Sequence, residues 1–281
     1  MLFRSQPSRA ARANAVVDGA VADSRRQVYG VHAVRALLTR HAERVTSVTI
    51  AEQRDDPRMT EIHQLAQQAG KTLKRVPPAN FKQLFGDAVH QGVYVEVQPL
   101  PQWHEEELIA AITARLEARA GAAPFVLVLD GVQDPHNLGA CLRTADACGA
   151  LALVIPKDRA VQLNATVRKV AAGAAETTPI AVVTNLARAL RLLKEAGLWI
   201  VGADAAAPKL AHETDLSGPI ALVMGAEGSG LRQLTRDTCD LLVRLPQAGS
   251  VESLNVSVAT GMLLYEALRQ RQTAQSGKNT R

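Results

Sequence analysis

Apolar residues follow one another without a polar break at Phe125-Val126-Leu127-Val128-Leu129 and at Ile220-Ala221-Leu222-Val223-Met224. Short runs of this kind, bounded by turn formers, predict strands buried on both faces, as in a parallel sheet covered by helices. Between and around them the period changes. Leu186 to Glu195 repeats its apolar positions at helical spacing, as do Asn137 to Cys148 and Ala165 to Ala172. Further strands are predicted at Leu151 to Ile155, Leu198 to Val201 and Leu241 to Leu245, a helix from Leu231, and a last helix from Ser253 to Arg271. The fold class that follows is α/β with a parallel sheet, over residues 123–271.

The first third of the chain has its own pattern. Val45 to Ile50 and Gly92 to Val97 alternate at period two as strands do, and Thr72 to Val76 is strand-like. Apolar positions in Gly30 to Leu38 and in Pro57 to Ala69 recur at helical spacing, Gly70 stops the second, and a short helix is predicted near Asn80 to Phe85. A small α/β domain is therefore expected over residues 28–98, ended by Pro99 and Pro101. Residues 99–122 read as a linker carrying a charged, Ala-rich helix that stops at Gly121. Residues 1–27 and 272–281 read as disordered tails, and for the first of them a transit peptide is the other reading.

Composition adds limits. The chain has 281 residues, enough for two cores, and 47% of them are hydrophobic and 21% charged, a globular balance. Its net charge of +5 concentrates toward the two ends, at Arg4, Arg9, Arg12, Arg25 and Arg26 within residues 1–27 and at Arg269, Arg271, Lys278 and Arg281 within residues 268–281. Such tails can attract nucleic acid in a salt-dependent way or can simply be solvated. No apolar run approaches the roughly 20 residues that span a bilayer, so no membrane partner is expected. Cys141, Cys148 and Cys239 form no CxxC pair, which disfavours a disulfide scaffold or a zinc site and fits a reducing, cytoplasmic setting.

Candidate chemistry gathers where buried strands end. After Met224 comes Gly225-Ala226-Glu227-Gly228-Ser229-Gly230, whose glycines permit close approach of backbone to a ligand and whose acid a simple reversal does not require. Its order is not that of a dinucleotide or Walker-type phosphate cradle. Glu227 can line a cleft or cap the helix after it. Asn137 can cap its helix or serve a site, and Arg143 can reach an anion across the space left by Gly139 or pair on the surface with Asp146. Ser253 and Asn255 flank Leu254 and carry the same ambiguity between capping and binding, while the small residues Ser257, Ala259 and Gly261 permit close helix packing.

Taken in order, Asn137…Gly139…Arg143, then Gly225 to Leu231, then Gly249 to Ala259 resemble the three motifs of the SpoU/TrmH group of SPOUT methyltransferases. Val28 to Val34, His90-Gln91-Gly92 and Leu129 to Ala140 are similar to the branch that methylates a guanosine 2′-hydroxyl of large-subunit (23S) ribosomal RNA. The resemblance implies a C-terminal trefoil knot, one of the rare exceptions to unknotted chains. It implies S-adenosyl-L-methionine as cofactor, with contacts at Gly225, Leu245 and Leu254, no metal, and a small RNA-binding first domain. It further implies a homodimer whose site combines Arg143, Glu227, Ser253, Asn255 and Asn137 from neighbouring subunits. A transfer-RNA substrate, or a non-catalytic RNA-binding or ribosome-assembly protein, are the competing readings.

Overall fold

The computed structural model describes residues 26–52, 54, 56–118, 123–250 and 253–278. The first domain contains β1 (Arg26–Tyr29), α1 (Val31–Arg40), β2 (Val45–Ala51), α2 (Pro57–Gln68), β3 (Thr72–Val76), α3 (Pro78–Phe85) and β4 (Val93–Val97). Its sheet has the order β1-β4-β2-β3, with β4 antiparallel to both neighbours and β3 parallel to β2. Alternation decides its faces: Val93, Val95 and Val97 join Val34, Leu37 and Ile62 of the helices in one core, and Tyr94 and Glu96 point the other way. Asp56 starts α2 by accepting from the backbone N–H groups of Arg58 and Met59, with Pro57 at the first helical position.

α4 (Glu105–Glu117) leads into the second domain, and Gly121 and most of the tails lie outside the described residues. Then follow β5 (Phe125–Asp130), α5 (Pro135–Ala147), β6 (Ala152–Pro156), α6 (Ala165–Ala171), β7 (Ile180–Val183), α7 (Leu186–Glu195), β8 (Trp199–Ala203), β9 (Lys209–Leu210), β10 (Ile220–Gly225), α8 (Gln233–Thr238), β11 (Leu241–Arg244) and α9 (Val256–Lys278). The strands pair in parallel in the order β7-β6-β5-β10-β8-β11-β9. Both faces are apolar, as the unbroken runs predict. Leu127, Leu129, Leu222 and Met224 pack with α5, α6 and α9, whereas Val126, Val128, Ala221 and Val223 pack toward α4 and α7.

Several expectations are corrected. Strands β1, β7 and β9 were not among those predicted; each is short, and β7 and β9 are edges of the sheet. The helix expected from Leu231 begins at Gln233, and the helix expected from Ser253 to Arg271 runs from Val256 to Lys278, so it takes in residues 272–278 assigned to a tail. Arg271, the expected end, lies inside the helix: it is buried, stacks 4.7 Å above the Phe125 ring and donates to the Leu216 and Ala123 carbonyls. Burial lowers its pKa to about 10, with Asp215 opposing that shift.

Order in the sheet sets where a ligand can go. β10 enters between β5 and β8; from β5 the chain continues to β6 on one side and from β10 to β11 on the other, and the crevice beyond the carboxyl ends at such a switch is the usual place for a ligand.

Candidate active site

Asp130 closes β5, and its carboxylate is wholly buried. It accepts the Arg232 backbone N–H at 3.1 Å and the Arg232 Nε at 2.5 Å, tying the end of β5 to the far side of the glycine-rich loop. A buried carboxylate persists only when its acceptors are engaged. The loop leaves β10 at Gly225 and is closed by Ala226 N to Gly230 O (3.1 Å) and Gly230 N to Ala226 O (3.0 Å). Gly228 and Gly230 have φ of +78° and +64°, which side chains rarely adopt. At Gly225 the reason for glycine is space, since a Cβ would run into the backbone of Gly230 and Leu231.

α5 starts close to this loop. Its N-cap is Asp134, which accepts from the backbone N–H groups of His136 and Asn137, and those bonds, His136's foremost, hold its carboxyl below the ordinary range. The reading of Asn137 as the cap is thereby overturned. Already inside the helix and 8% exposed, Asn137 uses its amide for tertiary contacts. Its Nδ2 donates to Glu227 Oε2 at 3.3 Å, and its Oδ1 accepts from Asn255 Nδ2 at 3.1 Å. Residues from three distant segments are thus joined by one side chain. Asn255 also caps α9, with Oδ1 accepting from Ser257 N at 2.9 Å and from the Ser257 hydroxyl at 2.6 Å, so capping and site building coincide. Glu227 does not cap α8, which begins beyond it with Arg232 as N-cap.

Beside this network lies a cleft of about 200 Å³ bordered by Gly225, Glu227, Leu245, Ser253 and Leu254, with Met224 and Leu263 supplying apolar wall. All three positions expected to touch a cofactor therefore share one cleft. Backbone polar groups of the glycine loop beside aliphatic walls suit a ligand with both polar and apolar parts, such as S-adenosylmethionine. Asp204 also lines it, anchored by Arg236 at 2.9 Å; neither it nor Asp130 was singled out from sequence, where the only available signal was an acid at the end of a buried strand.

Arg143 stands apart. It is exposed on α5 and has no hydrogen bond or ion pair among the described residues. The expected passage over Gly139 is filled, because a Cβ there would come 2.7 Å from Val170 Cβ and 2.9 Å from the Val167 carbonyl oxygen of α6. Nor does Arg143 pair with Asp146, which instead accepts from the hydroxyls of Thr177 (2.8 Å) and Thr178 (3.0 Å). Gly139 is thus a packing glycine. Gly139→Ala should lower stability by about 1 to 3 kcal/mol, seen as a lower denaturant midpoint at unchanged slope. On the same helix Cys141 is buried, and burial pushes its thiol up to about 11, so it packs as an apolar group.

If Asn137 organises the site, its removal should harm chemistry more than folding. Asn137→Ala is expected to cost about 1 kcal/mol of stability for its hydrogen bonds, while releasing Glu227 and Asn255 lowers turnover on the order of 10²-fold. Thermal unfolding and methyl-incorporation rates, measured on one preparation, separate the two effects.

The chain matches known families and proteins over most of its length. Residues 124–265 match the SpoU rRNA Methylase family, and residues 27–103 match the domain described as RNA 2'-O ribose methyltransferase substrate binding. The chain is 54% identical over 247 residues to the 23S rRNA (guanosine-2'-O-)-methyltransferase RlmB of Pseudomonas aeruginosa, covering 87% of this chain and 96% of that one. It is 49% identical over 244 residues to the protein of that name from Escherichia coli K12, covering 87% and 98%. Among solved structures, the SpoU methyltransferase AviRb from Streptomyces viridochromogenes in complex with AdoMet shares the fold, with a TM-score of 0.62 and 21% identity over 89% of this chain and 92% of that one.

Proposed function

Because the chain belongs to the SpoU rRNA methylase family, we infer that it is an S-adenosylmethionine-dependent methyltransferase acting on a guanosine ribose 2′-hydroxyl of 23S ribosomal RNA. The single observation that carries this is the meeting of Asn137, Glu227 and Asn255 beside a cleft bordered by Gly225, Leu245 and Leu254, in a chain whose relatives at about half identity bear that activity in their names. When bound, S-adenosylmethionine supplies an electrophilic methyl group on sulfur. The chain's own residues hold the ribose in line with it and exclude water, which is where most of the rate gain of such a displacement arises. A 2′-hydroxyl is also the group that separates RNA from DNA as substrate.

In this reading the glycine loop, Leu245 and Leu254 hold the cofactor, and Glu227, Ser253, Asn255 and Asn137 orient the nucleotide. Arg143 clamps the neighbouring phosphate and stabilises the oxygen as negative charge develops on it; a guanidinium does not surrender its proton readily and is not assigned as base. The enzyme works as a homodimer in which Arg143 serves the partner's cleft. Two features support this: Arg143 is exposed and unengaged within its own chain among the described residues, and Val258, Met262 and Tyr265 form an exposed apolar stripe along α9, 53%, 44% and 64% exposed. The C-terminal segment through Leu245 and Leu254 is knotted, the first domain grips RNA, and the protein acts in the cytoplasm. No helix among the described residues is long and apolar enough to cross a membrane.

Calorimetry tests the cofactor assignment. Saturable binding of S-adenosylmethionine is expected, and absence of heat at millimolar ligand would favour a non-catalytic RNA-binding protein instead.

A further inference from the structure

Three guanidiniums converge on one buried carboxylate where the two domains meet. Glu176, 6% exposed, follows α6. Its Oε1 accepts from Arg168 and lies 3.5 Å from Arg26 Nη1, while its Oε2 lies 3.5 Å from Arg44 Nη2 and, though buried, accepts no hydrogen bond among the described residues. Arg44 is fully committed to structure. Its Nε and Nη2 donate to the Gln98 carbonyl at 3.2 and 2.8 Å, and its Nη1 donates to the Glu176 carbonyl. Arg26 and Arg168 are not: both line a cavity of about 360 Å³ between the domains, together with Gln162 and Thr178 and with Leu163 and Val182 as apolar wall.

One carboxylate cannot neutralise three cations. Among the described residues the other nearby acids do not serve Arg26 or Arg168: Asp146 serves Thr177, Thr178 and, at 3.7 Å, Arg40, and Glu43, exposed beside His41, acts on Arg44. Burial above all, with the like charge of Arg26 adding to it, lowers the Arg168 pKa although Glu176 raises it. A half-buried surplus of positive charge around an open cavity is a site for an anion, and planar guanidiniums present paired donors that match phosphate oxygens. The cavity exceeds a single phosphate and leaves room for an adjoining ribose.

We propose that this interdomain cavity binds a phosphate group through Arg26 and Arg168, held in place by Glu176, and that RNA backbone supplies it, so that one strand is fixed on both domains at once. This rests on the chain being an RNA methyltransferase, and names where its substrate is held away from the reacting ribose. The test uses full-length protein, a 23S ribosomal RNA fragment that the wild type methylates, and inorganic phosphate as a second probe. Arg26→Ala and Arg168→Ala should each weaken RNA binding roughly tenfold and reduce the slope of log affinity against log salt by about 1, with S-adenosylmethionine affinity unchanged. Arg168→Lys, which keeps the charge, should retain most of the slope and guards against a folding defect in the alanine variant. Phosphate should raise the melting temperature of the wild type and not of Arg26→Ala. Stabilisation by phosphate with unchanged RNA affinity and slope in the folded variants would overturn RNA as the source, and absence of both effects would overturn the site. A wild type that neither binds S-adenosylmethionine nor transfers methyl would instead strike at the proposed function, and the phosphate measurement still reads the cavity.

Discussion

Arg143→Ala is expected to reduce methyl transfer by about 10²- to 10³-fold or more while leaving S-adenosylmethionine affinity and stability close to wild type, the loss typical of one donor aimed at developing negative charge. The reason lies in where the side chain is. Arg143 is exposed and makes no hydrogen bond or ion pair among the described residues of its own chain, so its removal has nothing there to destabilise. Arg143→Lys should keep measurable turnover, because an ammonium retains the charge though not the fork that meets two oxygens at once. Loss of turnover in the lysine variant as complete as in the alanine variant would mean that guanidinium geometry, and not charge, is what the reaction needs. A mixed dimer supplies a sharper form of the test. If each cleft borrows the partner's Arg143, combining Arg143→Ala subunits with Asn137→Ala subunits should restore activity in one cleft of each mixed dimer, which neither variant shows alone.

Gly225→Ala should be the most damaging small substitution in the molecule. A methyl group there meets backbone, the Gly230 carbonyl and the Leu231 nitrogen, and backbone cannot turn aside as a side chain can. The clash has to be relieved by moving the loop off β10, and the same loop carries Glu227 and is tied through Arg232 to buried Asp130. The expected cost is about 3 kcal/mol in stability, at the upper end for overpacking, together with loss of detectable S-adenosylmethionine binding in the fraction that remains folded. Gly228→Ala offers the comparison. Nothing lies within 4 Å of a Cβ at that position, and only its φ of +78° is unfavourable, so a cost of about 1 kcal/mol is expected.

These two positions show what can and cannot be read from residue order. The buried runs that became β5 and β10 were legible because a strand covered on both faces needs no polar alternation, and few other environments tolerate such runs. Strands β7 and β9 were not, since each is a short edge whose few residues carry too little periodicity to distinguish them from loop. The glycine loop announced itself by composition, but the role of each glycine did not. Gly225 is required by backbone contact across the loop, whereas Gly139, read from sequence as leaving room for Arg143, is required by α6 packed against it. Asn137, Glu227 and Asn255 were legible as candidates from their places at strand ends and helix starts, but capping and site building could not be told apart there, and their hydrogen bonds to one another decide it. Asp130 and Arg232 were missed because their ion pair joins a strand end to a loop about a hundred positions away, and an acid closing a buried strand does not say which residue it meets.

The interdomain hub around Glu176 belongs with those long-range features. Arg26, Arg44 and Arg168 come from three separate segments, and nothing in the spacing of arginines along the chain foretells their convergence. In the fold Arg26 and Arg168 line a cavity at the junction of the domain that matches the substrate-binding family and the domain that carries the cleft.

In the proposed function, the cleft and the Asn137 network together bring about the placement of one guanosine ribose of 23S ribosomal RNA against a methyl donor. Its most direct test is to incubate purified protein with S-adenosylmethionine and unmodified 23S ribosomal RNA, and to map ribose methylation at nucleotide resolution. A new 2′-O-methyl mark on a guanosine is expected, formed at least about 10²-fold more slowly with Arg143→Ala. Transfer of methyl only to a base, only to transfer RNA, or not at all by folded enzyme with bound S-adenosylmethionine would contradict it.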